Sequence, residues 1–252
     1  MNTSQLLLPL RRIHEYSALY LGFTLLGIAS LACAGLAHVL MHLLSERRGA
    51  QIGRRLINSG FHLYLNILRL MGAARFDLHE LDTLRTTGPL ILAANHPGLL
   101  DAPMVLSRLP NVVCVFKASL IDNPLWGASA RLAGYIRNDR FIGSIQLAID
   151  ELNRGSQLLL FPEGSRTTSA LLDPFRAGPA YVSHRSGVPI QTLFIEQDTR
   201  FLGKNLPLFK RPDMPMHFHI RLGQRFDPPA DPRQFTEVLH NYFLHELQPT
   251  GS

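Results

Sequence analysis

The chain has 252 residues, 46% of them hydrophobic and 17% charged, which excludes a disordered polypeptide and leaves room for one sizeable domain with an appendage. Its two cysteines, Cys33 and Cys114, exclude a disulfide framework. The formal net charge of +6 is not accompanied by a nucleic-acid-binding motif, and its arginines flank apolar segments, so no nucleic-acid partner is expected.

The first apolar segment, Ala18 to Leu44, holds no Asp, Glu, Lys or Arg over 27 residues. As a helix it would run about 40 Å, and about 20 such residues cross a bilayer. Arg11 and Arg12 precede it; Arg47, Arg48, Arg54 and Arg55 follow. That excess places the rest of the chain on the cytoplasmic side of an inner or cytoplasmic membrane. A second stretch, Leu56 to Gly72, carries a narrow polar strip at Asn58, His62, Asn66 and Arg69, the spacing of an amphipathic helix. It reads as an interfacial helix or as a buried core helix. A helix pair dipping into one leaflet keeps every arginine on one side. Residues 1–73 are therefore expected to anchor the chain to membrane lipids, and residues 74–252 to form an α/β domain.

In that domain Pro89 to Ala94 reads as a buried strand ending at Asn95 and His96, and Asp101 to Leu109 as a helix. There follow a strand at Asn111 to Phe116, helices at Asn123 to Ala133 and Phe141 to Asn153, and a strand at Gln157 to Phe161. A helix at Phe175 to His184, a strand at Val188 to Ile195, an edge strand at His217 to Leu222 and a final helix at Asp231 to Glu246 complete the order. The pattern predicts an α/β fold with a mixed, largely parallel sheet covered by helices on both faces.

Chemistry concentrates at two strand ends. Five residues separate His96 from Asp101, about 140° around a regular helix, so the two would not meet there. The Pro97-Gly98 turn allows them to meet, and a carboxylate on one ring nitrogen leaves the other free as a base. The plainer reading is a polar strand end with an Asp capping a helix. The second strand exits into Pro162-Glu-Gly-Ser-Arg-Thr167, where Gly164 permits close backbone approach and Arg166 offers a planar fork to phosphate oxygens. Its plainer reading is a surface turn with a Glu/Arg pair. His38 and His42 lie four apart without further ligands, so neither a metal site nor a cofactor is expected. No Gly-x-Ser-x-Gly hydrolase elbow occurs.

These segments resemble the PlsC-type 1-acyl-glycerol-3-phosphate acyltransferases. His96-Pro-Gly-Leu-Leu-Asp101 is similar to their His-x4-Asp block, and Phe161-Pro-Glu-Gly-Ser-Arg-Thr167 to their third. Gly134 to Arg140 resembles the second and Val188-Pro189-Ile190 the fourth. The departures are Lys117-Ala-Ser119-Leu120, where the family often has Lys-x-Glu-Leu, and polar Arg137 and Asn138 inside the second block. The resemblance implies transfer of a fatty acyl group from acyl-CoA or an acyl carrier protein to the hydroxyl of a lysolipid. The first acceptor it suggests is 1-acyl-glycerol-3-phosphate, with another lysolipid such as a lyso-aminolipid as the alternative. From a different class, a non-catalytic lipid-binding scaffold is the competing reading. His96 would be the general base and Asp101 its support. Arg140, Arg166 and Lys117 would clamp the acceptor phosphate, with Glu163, Gly164 and Ser165 shaping its cradle. Basic residues at Arg200, Lys204, Lys210 and Arg211 would meet anionic lipid headgroups or an acidic acyl carrier.

Overall fold

The computed structural model describes residues 3–124, 127–139, 141–169, 171–199, 201–204 and 212–248. Two long helices come first, α1 (Thr3–Leu43) and α2 (Glu46–Leu70). Both begin earlier than the apolar patterns suggested, because polar and basic residues continue each helix outward from its apolar stretch. Seven strands follow: β1 (Ala74–Asp77), β2 (Ile91–Ala94), β3 (Val112–Phe116), β4 (Ile136–Arg137), β5 (Gln157–Leu160), β6 (Ile190–Gln197) and β7 (Met216–Phe226). They alternate with α3 (Asp101–Arg108), α4 (Ala118–Ile121), α5 (Gly127–Leu132), α6 (Phe141–Asn153) and α7 (Gly178–Ser186), and α8 (Pro232–Leu247) closes the chain. Asp231 caps α8 by accepting from the backbone N–H groups of Arg233 and Gln234.

The sheet order is β1-β7-β6-β2-β5-β3-β4. Every pair is parallel except β6 with β7, so the sheet is mixed and largely parallel as expected. β2 lies at its centre with all four residues at 0% exposure, which is why its sequence is an unbroken apolar run. Two expectations are corrected. The strand predicted at the edge, His217 to Leu222, is interior: β7 runs between β6 and β1, and the four-residue β1 is the edge. The helix predicted from Phe175 starts at Gly178.

The hydrophobic core does not stop at residue 73. One cluster joins Ala18 and Leu19 of α1, Tyr64, Leu65 and Leu68 of α2, and the strands of the sheet. Arg54 of α2 is 6% exposed and reaches into the α/β body. It donates to the Ala133 carbonyl (2.9 Å), Asn111 Oδ1 (3.0 Å), Ser156 Oγ (2.8 Å) and Glu151 Oε2 (2.7 Å). Gly53 makes that approach possible, since a β-carbon there would stand 2.8 Å from the Ala133 backbone nitrogen.

Candidate active site

The carboxyl ends of β6, β2, β5 and β3 lie side by side, the edge where open α/β sheets bind ligands. β2 delivers Asn95 and His96. The Asn95 amide donates to the Ile195 carbonyl (2.9 Å) and accepts from the Ile195 N–H (2.8 Å), tying the end of β2 to β6. The chain then turns through Pro97 and Gly98, and Asp101 becomes the first residue of α3. The turn brings the pair together: His96 Nδ1 lies 2.7 Å from Asp101 Oδ2, which also accepts from the Gly98 N–H at 2.8 Å. Asp101 is fully buried, whereas the His96 side chain is 19% exposed. Burial pushes the Asp101 carboxyl above its ordinary range, while His96, the Gly98 N–H and the Arg166 charge pull it down. The His96 ring stacks on Phe161, centroids 3.9 Å apart and planes at 17°. Its Nε2 makes no hydrogen bond among the described residues, so one ring nitrogen is held and the other is available.

The loop after β5 wraps this histidine. Glu163, 4% exposed, accepts from the His96 backbone N–H (2.9 Å), Thr167 Oγ1 (3.0 Å) and the Asp173 N–H (2.9 Å). Burial raises its carboxyl pKa against these donors. Its side chain is thus occupied in fixing backbone around His96. The Thr167 N–H donates back to the His96 carbonyl at 2.8 Å. Gly164 takes φ +72°, and a β-carbon there would meet Arg176 Nε at 2.7 Å, so glycine lets that arginine lie across the loop.

The expected cations are distributed unevenly. Arg166 Nη1 donates to the carbonyls of Leu202 (2.9 Å) and Gly203 (3.2 Å), and through them holds the segment that carries Lys204. Lys204 Nζ donates in turn to Ser165 Oγ at 3.0 Å. Lys117 stands exposed at the end of β3. Arg140, Arg200, Lys210 and Arg211 lie outside the described residues. Sequence reading passed over Phe161 as a ring partner, the strut at Asn95, Asp173 and Arg176. For Arg176 the one available signal was the glycine it covers.

Residues 75–196 match the family described as Acyltransferase. That match takes in just under half of the chain, and it contains both His96 and the loop after β5. A human 1-acyl-sn-glycerol-3-phosphate acyltransferase beta is 26% identical over 197 residues, 73% of this chain and 66% of the relative. A lyso-ornithine lipid O-acyltransferase of Pseudomonas aeruginosa is 32% identical over 111 residues, 42% of this chain and 43% of the relative. Other curated relatives are spanned over 35% to 46% of their own length. The crystal structure of PlsC, the 1-acyl-sn-glycerophosphate acyltransferase of Thermotoga maritima, superposes with a TM-score of 0.70 over 96% of this chain and 99% of that one. At 17% identity that likeness shows the fold alone.

Proposed function

We propose that the protein is a membrane-bound O-acyltransferase that moves a fatty acyl group from an acyl thioester to the free hydroxyl of a lysolipid. The observation that carries this reading is the His96–Asp101 pair at 2.7 Å with the second ring nitrogen free, in a domain of the Acyltransferase family. His96 Nε2 takes the proton of the acceptor hydroxyl as its oxygen attacks the thioester carbonyl. Asp101 holds the Nδ1–H tautomer and steadies the imidazolium. Collapse of the tetrahedral intermediate breaks the carbon–sulfur bond, and the departing thiolate receives the proton from His96. The thioester is already activated, so no enzyme nucleophile is required.

The favoured acceptor is 1-acyl-glycerol-3-phosphate, on the names of the relatives and on the cations near the loop after β5: Arg166, Arg176 and Lys204, with Arg140 and Lys117 assigned by family resemblance. Glu163, Gly164 and Ser165 then shape that loop. A specific observation keeps a lyso-aminolipid acceptor as the second reading. Arg166 spends one terminal nitrogen on backbone carbonyls, and one relative is named for lyso-ornithine lipid. Purified protein incubated with labelled acyl-CoA or acyl carrier protein and a panel of lysolipids tests both. Acylation of the phosphate-bearing acceptor alone supports the first reading, acylation of the aminolipid alone the second, and no acylation of any lysolipid refutes both.

Residues 1–73 we assign to membrane anchoring, monotopically. α1 has apolar side chains on both faces. Ala18, Leu19, Ala34 and Ala37 are buried, whereas Ile13, Leu21, Ile28 and Leu31 are exposed. Near its start Arg11 reaches the Met214 carbonyl and His14 the Met71 carbonyl; near its end Ala34 and Ala37 pack on Ala128 and Leu132. A helix resting on the α/β body at both ends is better suited to lie in one leaflet than to cross two. Its cytoplasmic placement follows from the arginine bias.

A further inference from the structure

Asp101 is sealed from solvent, yet only Oδ2 is hydrogen-bonded; Oδ1 has no partner among the described residues. A second sealed oxygen has the same deficit, Gln197 Oε1. Both lie against Gly98: a β-carbon built there would be 3.0 Å from Gln197 Oε1 and 3.4 Å from Asp101 Oδ1. Two buried acceptors on one small space with no donor is an arrangement that folded proteins avoid. A side-chain amide resolves it by a half-turn about its terminal bond, which exchanges oxygen and NH2 without changing shape.

We propose that Gln197 is a positioning residue for the His96–Asp101 pair. With its NH2 turned toward Asp101, it donates to Oδ1 and keeps Oδ2 aligned on His96 Nδ1. This rests on the acyl-transfer reading with His96 as base. Gln197 ends β6 and Asp101 begins α3, so the contact belongs to the fold and not to any local motif. Other charged groups around the pair are few. Arg166 acts on Asp101 across the loop after β5, and Glu163 from that loop holds the His96 N–H. On β6 Glu196 is engaged by Arg221 and His219, and beyond it Asp198 accepts from the His217 N–H. On α3 the next ionisable group, Arg108, is held by Asp82.

A donor on Oδ1 stabilises the negatively charged pair. Without it the pair binds a proton more tightly, and the acidic limb of the kcat/KM profile moves to higher pH. The test compares full-length wild type, Gln197→Met, Gly98→Ala and His96→Ala in acceptor-dependent turnover from pH 5 upward, with thermal melts beside them. Gln197→Met should lose roughly 10- to 100-fold in kcat/KM, the worth of one hydrogen bond to a charged group. Its acidic limb should rise by about half a unit to one unit. Gly98→Ala, which presses a methyl group against both oxygens, should move the limb the same way and covers the case of a Met variant that does not fold. An unmoved limb overturns the role of Gln197, whether turnover is kept or lost, since loss alone marks a structural part. A wild type inactive on every lysolipid, or an active His96→Ala, instead overturns the acyl-transfer reading beneath it.

Discussion

Removing the imidazole while leaving its surroundings intact separates chemistry from scaffold. His96→Ala should lower turnover by roughly 100- to 10,000-fold, with circular dichroism and melting near those of the wild type. A well-folded His96→Ala protein with near-normal activity would sink the mechanism. Asp101→Asn makes a sharper forecast. The folded-state pKa of Asp101 lies above its ordinary value, so its stabilising contribution is present below the ordinary carboxylate range and lost as pH rises through the folded value. At pH 7 its burial in ionised form is a strain on the fold. Asp101→Asn should therefore melt at an equal or higher temperature than the wild type while turnover falls by at least about 100-fold; a large drop in melting temperature would contradict this. The pair was legible in sequence because one turn sets both groups. The contacts that discipline it were not. Glu163, read as part of a headgroup cradle, has its oxygens filled by three donors, one of them some sixty-seven residues earlier in the chain. The strut from Asn95 to Ile195 spans a hundred positions and leaves no local pattern.

Among the elements, the loop between β5 and α7 is held by a carboxylate of its own. Asp173 accepts from the Thr168 N–H and hydroxyl at 2.8 Å and from the Ser169 N–H at 2.9 Å. Desolvation pushes its pKa up, but these donors outweigh it and bring the carboxyl down to about 2. A depressed pKa means that the contribution is present above the ordinary value of 3.8 and is lost as pH falls toward about 2. The melting-temperature gap between wild type and Asp173→Asn should thus be open at pH 5 and close below pH 3; a gap independent of pH would refute the assignment. The same scale explains what the sequence hid. β1 has four residues and β4 two, too short to display a period. β7, expected at an edge, alternates more and less buried side chains at its start. The alternation reports a strand with one face open, which an interior strand of a mixed sheet also shows. β2, apolar throughout, and β5, apolar after Gln157, could be placed because only the centre of a parallel sheet buries both faces.

Across the whole molecule, α1 and α2 share one hydrophobic core with the α/β body, so the two should fold as one unit. Arg54→Met removes one donor each from Asn111, Ser156 and Glu151, of which Glu151 keeps Ser156 and Arg154, and loss of one partner of a buried pair costs about 3 kcal/mol. Chemical denaturation should show one transition for the full chain, lowered in the Met variant. Two transitions would mean that α1 and α2 unfold separately. The membrane assignment is checked by extraction and labelling. High salt should not release the protein, because burial of apolar surface does not depend on screened charge. Ser4→Cys in intact cells should react only with a membrane-permeant reagent; labelling by an impermeant one from the far side would establish a crossing helix. The apolar length of α1 was legible but its two-ended contact was not, since no periodicity records which face of its apolar stretch meets protein. In the one-leaflet arrangement proposed above, that contact fixes the altitude of the His96–Asp101 pair above the lipid plane, and the proposed acceptor has to climb to it. A lysolipid, with one chain, gives up less buried hydrocarbon in rising than a two-chain lipid, at about 0.8 kcal/mol for each CH2 exposed. On the same reading the two-chain product would pay more to stay raised, and so would return to the bilayer once released.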